Sequence, residues 1–299
     1  MMEDILKRCT LCPRRCGVDR YEKAGFCGEK SEIRISRADL HNWEEPCISG
    51  TKGSGTVFFS GCVLKCCFCQ NYEISAEGKG FVVTEKELAD IFLMLQDRGA
   101  HNINLVNPTH FVPQILNALE YTGDKLKIPV VYNSGGYENT ETLELLRGRV
   151  SIFLPDLKYY DSMLSKKFSN AVDYFEKTSS AIKKMVEIAG KPIYNKKGIM
   201  QSGVIVRHLV LPNCRHDSAK LMEWLSGTFE KDEILISVMS QFTPVYKAFN
   251  YKELSRKTAT FEYNYVRDLL DKSGFDGFCQ HKSSADDSFI PQFYSERYF

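Results

Sequence analysis

The sequence predicts an α/β protein with a parallel sheet, preceded by a small cysteine-rich extension; the boundary falls between residues 1–54 and 55–299. Three observations lead there. From residue 55 onward, short apolar runs rich in Val, Ile and Phe alternate with segments of helical periodicity, the order that winds a parallel sheet with helices outside it. Each apolar run ends in a polar cluster, as expected where chemistry sits at the C-terminal ends of parallel strands. Residues 9–28 hold four cysteines among glycines and a proline, with too few apolar side chains for a core of their own.

With 299 residues the chain can bury a full-sized core, and 43% hydrophobic and 26% charged residues are those of a globular protein. Lys plus Arg (39) nearly balance Asp plus Glu (38), so no basic field argues for nucleic acid or an anionic membrane, and a small-molecule or protein substrate is expected. No apolar run approaches the roughly 20 residues of a membrane span. The opening Met1-Met2-Glu3-Asp4-Ile5-Leu6 lacks the apolar core of a signal peptide, so a cytoplasmic protein is expected. In that setting eleven cysteines read as metal ligands and reduced thiols rather than a disulfide framework.

The first group is Cys9-x2-Cys12-x3-Cys16-x10-Cys27, interleaved with Pro13, Gly17, Gly25 and Gly28. A metal would supply the stability such a loop-rich knot lacks. Thiolate spacing alone does not separate an iron–sulfur cluster from zinc, and an unmetallated segment is the remaining alternative. Next, Ile33 to Ser36 alternates as a short strand. Residues 41–50 read as a surface loop crossing to the main unit, the alternative being that His41, Glu44 and Glu45 reach the site, and Cys47 reads as a small buried residue.

Strand 55–60 leads into Gly61-Cys62-Val63-Leu64-Lys65-Cys66-Cys67-Phe68-Cys69. Three thiolates in one loop suit a cluster corner, and on a four-iron cube they leave one iron without a protein ligand. The alternatives are core cysteines or a partial zinc site. Thr84-Glu85-Lys86-Glu87 is a capping box, Leu88, Ile91, Phe92 and Leu95 share a helical face, and Gly99 is a left-handed stop, giving a helix over 85–98. A strand at 103–106 ends in Asn107-Pro108-Thr109-His110, and Pro113 opens a helix. A strand at 129–132 ends in Asn133-Ser134-Gly135, and Asn139 is expected to cap the helix after it. A strand at 150–154 ends in Pro155-Asp156-Leu157-Lys158, before a helix at about 171–189. Lys191 to Gly198 reads as a solvated turn. The fifth and sixth strands are 203–212, containing Arg207 and His208, and 233–239; helices follow at 218–225 and 258–272.

The Cys62-x3-Cys66-x2-Cys69 spacing, with Phe68 before the last cysteine, resembles the signature of the radical S-adenosylmethionine (radical SAM) superfamily. Further words, among them Trp43-Glu44-Glu45-Pro46, Cys69-Gln70-Asn71, Pro108-Thr109-His110-Phe111, Leu154-Pro155-Asp156-Leu157-Lys158 and Arg207-His208-Leu209, resemble pyruvate formate-lyase activating enzyme-like proteins over nearly the whole chain. The resemblance implies a partial (β/α)6 TIM-type barrel and a [4Fe-4S] cluster on Cys62, Cys66 and Cys69. It implies an oxidoreductase whose SAM is cleaved reductively to a 5′-deoxyadenosyl radical that abstracts hydrogen from a substrate, a glycine of a partner enzyme in the activating type. It places Phe68, Asn107, Thr109, Asn133, Ser134, Asp156, Lys158, Arg207 and His208 at the cofactor. Asn107-Pro108-Thr109 stands where the family carries Gly-Gly-Glu, and Asn133 where it carries an aspartate. Flavodoxin or ferredoxin is the implied electron donor. Modification of a peptide or small molecule is the runner-up; a non-catalytic zinc or iron–sulfur interaction module is the alternative of another class. A cation such as Lys158 or Arg207 suits the SAM carboxylate. Left as structural alternatives are an Asp156 pair with Lys158 or Arg207, and a His208 satisfied within the core.

Overall fold

A computed structural model describes residues 2–279 and 292–294, with side chains from residue 5 onward within them. Ten strands occur among the described residues: β1 Ile33–His41, β2 Ser54–Phe59, β3 Phe81–Val83, β4 Ile103–Val106, β5 Val130–Ser134, β6 Ile152–Pro155, β7 Ile193–Tyr194, β8 Met200–Leu209, β9 Leu235–Met239 and β10 Gly277–Cys279. They form one sheet in the order β10-β9-β8-β6-β5-β4-β2-β1-β3, with β7 pairing β8 off that path. From β2 to β10 neighbouring strands of this order are parallel, whereas β1 runs antiparallel to β2 and β3 antiparallel to β1. The curl is therefore an open, partial barrel rather than a closed one.

All six expected parallel strands are present in sequential order. The three-residue β10 adds a seventh that was too short to announce itself. β1 extends five residues beyond the expected end at Ser36, and the turn expected at 191–198 is the tip of a hairpin between β7 and β8. The helix expected at about 171–189 is Tyr174–Ala189, and a further helix that was not expected, Ser162–Ser169, precedes it and ends at the left-handed Asn170.

The pleat sorts each strand into two faces. Val57, Phe59, Leu105, Val130, Tyr132, Phe153, Val204, Val206, Ile236 and Val238 face outward and pack with Leu88, Phe92, Ile115, Ile182, Met185 and Leu225 of the helices. Their alternates Val131, Ile152, Leu154, Ile205 and Leu235 face inward. The inner space is plugged by the segment that links β1 to β2. Cys47 and Ile48, in the single helical turn Pro46–Ser49, pack on those five residues, and Asn102 Nδ2 donates to the Ile48 carbonyl at 2.8 Å. The expectation of a surface loop at 41–50 is thus corrected: two apolar side chains anchor an otherwise polar segment inside the barrel.

The helix Glu85–Asp97 carries the expected capping box, with Glu87 N donating to Thr84 Oγ1 at 3.2 Å and Thr84 N to Glu87 Oε2 at 2.8 Å. Thr84→Ala is expected to lower stability by about 1 kcal/mol and the thermal midpoint by a few degrees, readable by calorimetry. Asn139 precedes its helix, but no cap bond forms; Nδ2 instead donates to the Thr10 carbonyl at 2.7 Å, tying the N-terminal knot to the barrel. Among the described residues no helix is long and apolar enough to cross a membrane.

Candidate active site

The inward positions nearest the C-terminal strand ends are polar, and they line a cavity of about 600 Å³. Its walls include Glu44 and Glu45 from the plug, Asn133 of β5, Asp156 and Lys158 after β6, Arg207 of β8 and Ser237 of β9; Cys66, Phe68 and Cys69 close one side. The Arg207 guanidinium binds Glu44 Oε2 at 3.2 Å, Asp156 Oδ1 at 3.0 Å and Asn133 Oδ1 at 2.5 Å. Lys158 Nζ meets Asp156 Oδ2 at 2.5 Å. Asn104 Nδ2 donates to Glu44 Oε1 at 3.0 Å.

Burial alone would raise the Asp156 carboxyl, but Lys158 and Arg207 outweigh it and hold it below its usual range. Burial likewise opposes the charge on Lys158, yet Asp156 and the nearby Cys66 keep its pKa above normal. Glu44 and Glu45 are both raised by burial, which the Arg207 charge offsets in part.

The three thiols of the 62–69 loop lie within electrostatic reach of one another, and each sulfur receives a hydrogen-bond donor. Leu64 N approaches Cys62 Sγ at 3.3 Å, Ser169 Oγ approaches Cys66 Sγ at 2.9 Å, and Ser75 Oγ approaches Cys69 Sγ at 3.2 Å. Burial pushes the Cys66 thiol up to about 12 and raises Cys69 too. Such thiols stay neutral unless a bound metal takes up the thiolate charge. Three soft donors, each supported by a donor to sulfur and set beside Lys158, fit a [4Fe-4S] cluster. Phe68 packs edge-on against Phe242, with ring centroids 5.8 Å apart, at the cavity wall.

Not every residue expected at the cofactor reaches the cavity. His208 follows Arg207 on β8 and so faces outward, 1% exposed, with Nδ1 at 2.6 Å from the Leu157 carbonyl and Nε2 at 2.9 Å from Ser218 Oγ. Ser134 follows Asn133 and turns away in the same manner, its Oγ accepting from Gly136 N at 3.3 Å. Thr109 donates to Glu138 Oε1 at 2.8 Å, beyond the cavity wall. Asn107, left-handed at φ 60°, donates to the Gly61 carbonyl and so braces the start of the cluster loop.

Thr109 and Ser134 instead surround Glu138, whose Oε2 also receives Tyr132 OH at 3.1 Å. Burial raises the Glu138 carboxyl to about 7, against the pull of those donors. Between its ordinary value of 4.5 and about 7 the folded chain keeps a proton that the unfolded chain has released. Stability should therefore fall by about 3 kcal/mol as pH rises through that window, and stay at the lower level above it. Urea midpoints at pH 5 and 8 check this, and Glu138→Gln should flatten the difference.

Sequence reasoning allowed that Glu44 and Glu45 could reach the site but favoured a surface loop. The signal available was the adjacent Cys47-Ile48 pair, which is the part of that stretch that buries.

A sequence model of the family described as the radical SAM superfamily matches residues 56–202. The uncharacterised protein MJ0674 of Methanocaldococcus jannaschii is 33% identical over 287 residues, covering 92% of this chain and 77% of that protein. Among solved structures, a radical SAM methyltransferase from Sphaerobacter thermophilus superposes with a TM-score of 0.52 at 12% identity, over 76% of this chain and 66% of that one. SuiB of Streptococcus suis bound to its precursor peptide SuiA gives a TM-score of 0.50 at 15% identity over 74% of this chain, which spans only 46% of SuiB. At these identities the structural likenesses speak for the fold.

Proposed function

The chain belongs to the radical SAM superfamily, and we propose that within it the protein is an activating-type enzyme, one that abstracts hydrogen from a glycine of a partner protein. Membership makes it an enzyme of radical SAM chemistry, using SAM and a [4Fe-4S] cluster. When bound, the cluster supplies the electron that breaks the SAM sulfonium–C5′ bond, giving methionine and a 5′-deoxyadenosyl radical. The observation that carries the reading is the adjacency of the Cys66 and Cys69 thiols, with Cys62 close to both, to the ion-paired cavity floor.

In this reading each remaining residue has a task set by its contacts. Lys158 is the cation whose field reaches both Cys66 and Cys69, so its ammonium holds the SAM carboxylate beside the cluster. Arg207 is engaged by Glu44, Asp156 and Asn133, and acts by fixing the three rather than by gripping SAM. Glu44, Glu45 and Asp156 lend negative potential to a cavity that must accept the sulfonium and amine of SAM. Phe68 and Phe242 supply an apolar wall for the adenine and keep water from the reacting carbon. Trp43, 63% exposed and part of the cavity lining, offers an aromatic landing place for a polypeptide.

The substrate class is tested by running the anaerobically reconstituted enzyme with SAM and a reductant on protein from cells fed 2,2-dideuteroglycine. Deuterium in the 5′-deoxyadenosine supports a protein glycine as hydrogen donor. Unlabelled product whose formation requires the small-molecule fraction would overturn it and favour a small substrate.

A further inference from the structure

The N-terminal knot has a feature that its sequence did not announce. Arg20 is fully buried, and a guanidinium cannot shed its proton inside a protein. Among the described residues no carboxylate lies within ion-pairing distance of it; Glu29, close enough to feel its charge, pairs with Arg34 at 3.3 Å. Arg20 donates to the carbonyls of His110 and Lys30, Nη1 lies 3.9 Å from Cys9 Sγ, and Nε has no hydrogen-bond partner. A buried, unpaired cation is costly. It calls for a negative partner on the thiol side.

The four thiols supply the place for one. Cys16 Sγ and Cys27 Sγ both overhang Gly25, where an added Cβ would meet them at 3.2 and 3.5 Å, and Cys12 lies within electrostatic reach of Cys27 and Cys9. All four are free thiols. An iron–sulfur cube takes one thiolate at each corner. Four thiolates on a [4Fe-4S] core leave a net negative charge, the partner Arg20 lacks.

The knot also touches the catalytic loop. Cys62 N donates to the Cys27 carbonyl at 3.0 Å, and Arg14 Nε donates to the Val63 carbonyl at 2.8 Å. Cys16, by contrast, is exposed. One end of the thiol set thus meets the surface and the other meets the first ligand of the cluster loop.

We propose that Cys9, Cys12, Cys16 and Cys27 bind a second iron–sulfur cluster, with Arg20 as its built-in countercharge, that relays electrons to the cluster of Cys62, Cys66 and Cys69. A one-electron donor of the flavodoxin or ferredoxin class is oxidised at the Cys16 side, and the same electron leaves the second cluster to reduce the first. The relay rests on the radical SAM reading of the first cluster; the metal site does not.

Two measurements on the whole chain test it. After anaerobic reconstitution with ferrous iron and sulfide, the Cys62→Ala/Cys66→Ala/Cys69→Ala variant should retain about four irons and a paramagnetic signal on reduction. No iron, or zinc in its place, would overturn the second cluster. In Cys16→Ala, with the other cysteines intact, reduction of the first cluster by photoreduced flavodoxin, followed by its paramagnetic signal, should slow at least about tenfold, whereas reduction by dithionite should not. An unchanged flavodoxin rate would overturn the relay. Neither readout requires SAM to be cleaved, so failure of SAM cleavage alone would count against the function proposed above and not against this cluster.

Discussion

Cys66→Ala is expected to reduce 5′-deoxyadenosine formation from SAM to the uncatalysed background while leaving the fold in place. Cys66 is 7% exposed and its sulfur is the acceptor for Ser169 Oγ, so alanine removes a ligand and not a large side chain. Ser169 keeps Tyr159 OH as a partner at 2.7 Å, which limits the structural cost to about 1 kcal/mol. Two thiols, Cys62 and Cys69, cannot retain the cube that three hold. Iron content, thermal midpoint and product formation, measured on one preparation, separate loss of the cluster from loss of the fold.

Arg207→Leu is the second large effect, and it acts through electrostatics. Removing the guanidinium leaves Glu44 and Asp156 in a buried site, with Asn133 Oδ1 losing its donor. Breaking such a network from one side should cost about 3 kcal/mol, because the charges left behind keep their desolvation penalty. SAM affinity should fall as well, since Asp156 then turns its whole charge on Lys158. Arg207→Leu/Glu44→Leu should recover part of the stability without recovering SAM binding. Denaturant midpoints read the first quantity and equilibrium dialysis the second; a single variant as stable as the parent would refute the account of the cavity floor.

The parts of the fold that the sequence states locally were legible in it. The capping box at Thr84 and Glu87, the helix that opens at Pro113 and the six strands of the parallel run each follow from a signal within a dozen residues. The cysteine triad is local in the same sense. What could not be read locally is which face a residue takes and what lies opposite. Arg207 and His208, like Asn133 and Ser134, were both placed at the cofactor, yet adjacent residues of a strand point to opposite sides and only one of each pair lines the cavity. The burial of Glu44 and Glu45 depends on a plug that is polar in composition and held by Cys47 and Ile48. The contact between Cys27 and Cys62 joins segments that no short-range pattern connects.

The most direct test is to supply SAM and dithionite to the anaerobically reconstituted protein and to quantify methionine and 5′-deoxyadenosine against iron content. The account predicts SAM binding and equal amounts of both products from the parent, and neither product from the Cys62→Ala/Cys66→Ala/Cys69→Ala variant. A parent that carries a full cluster on those cysteines yet neither binds nor cleaves SAM would contradict it.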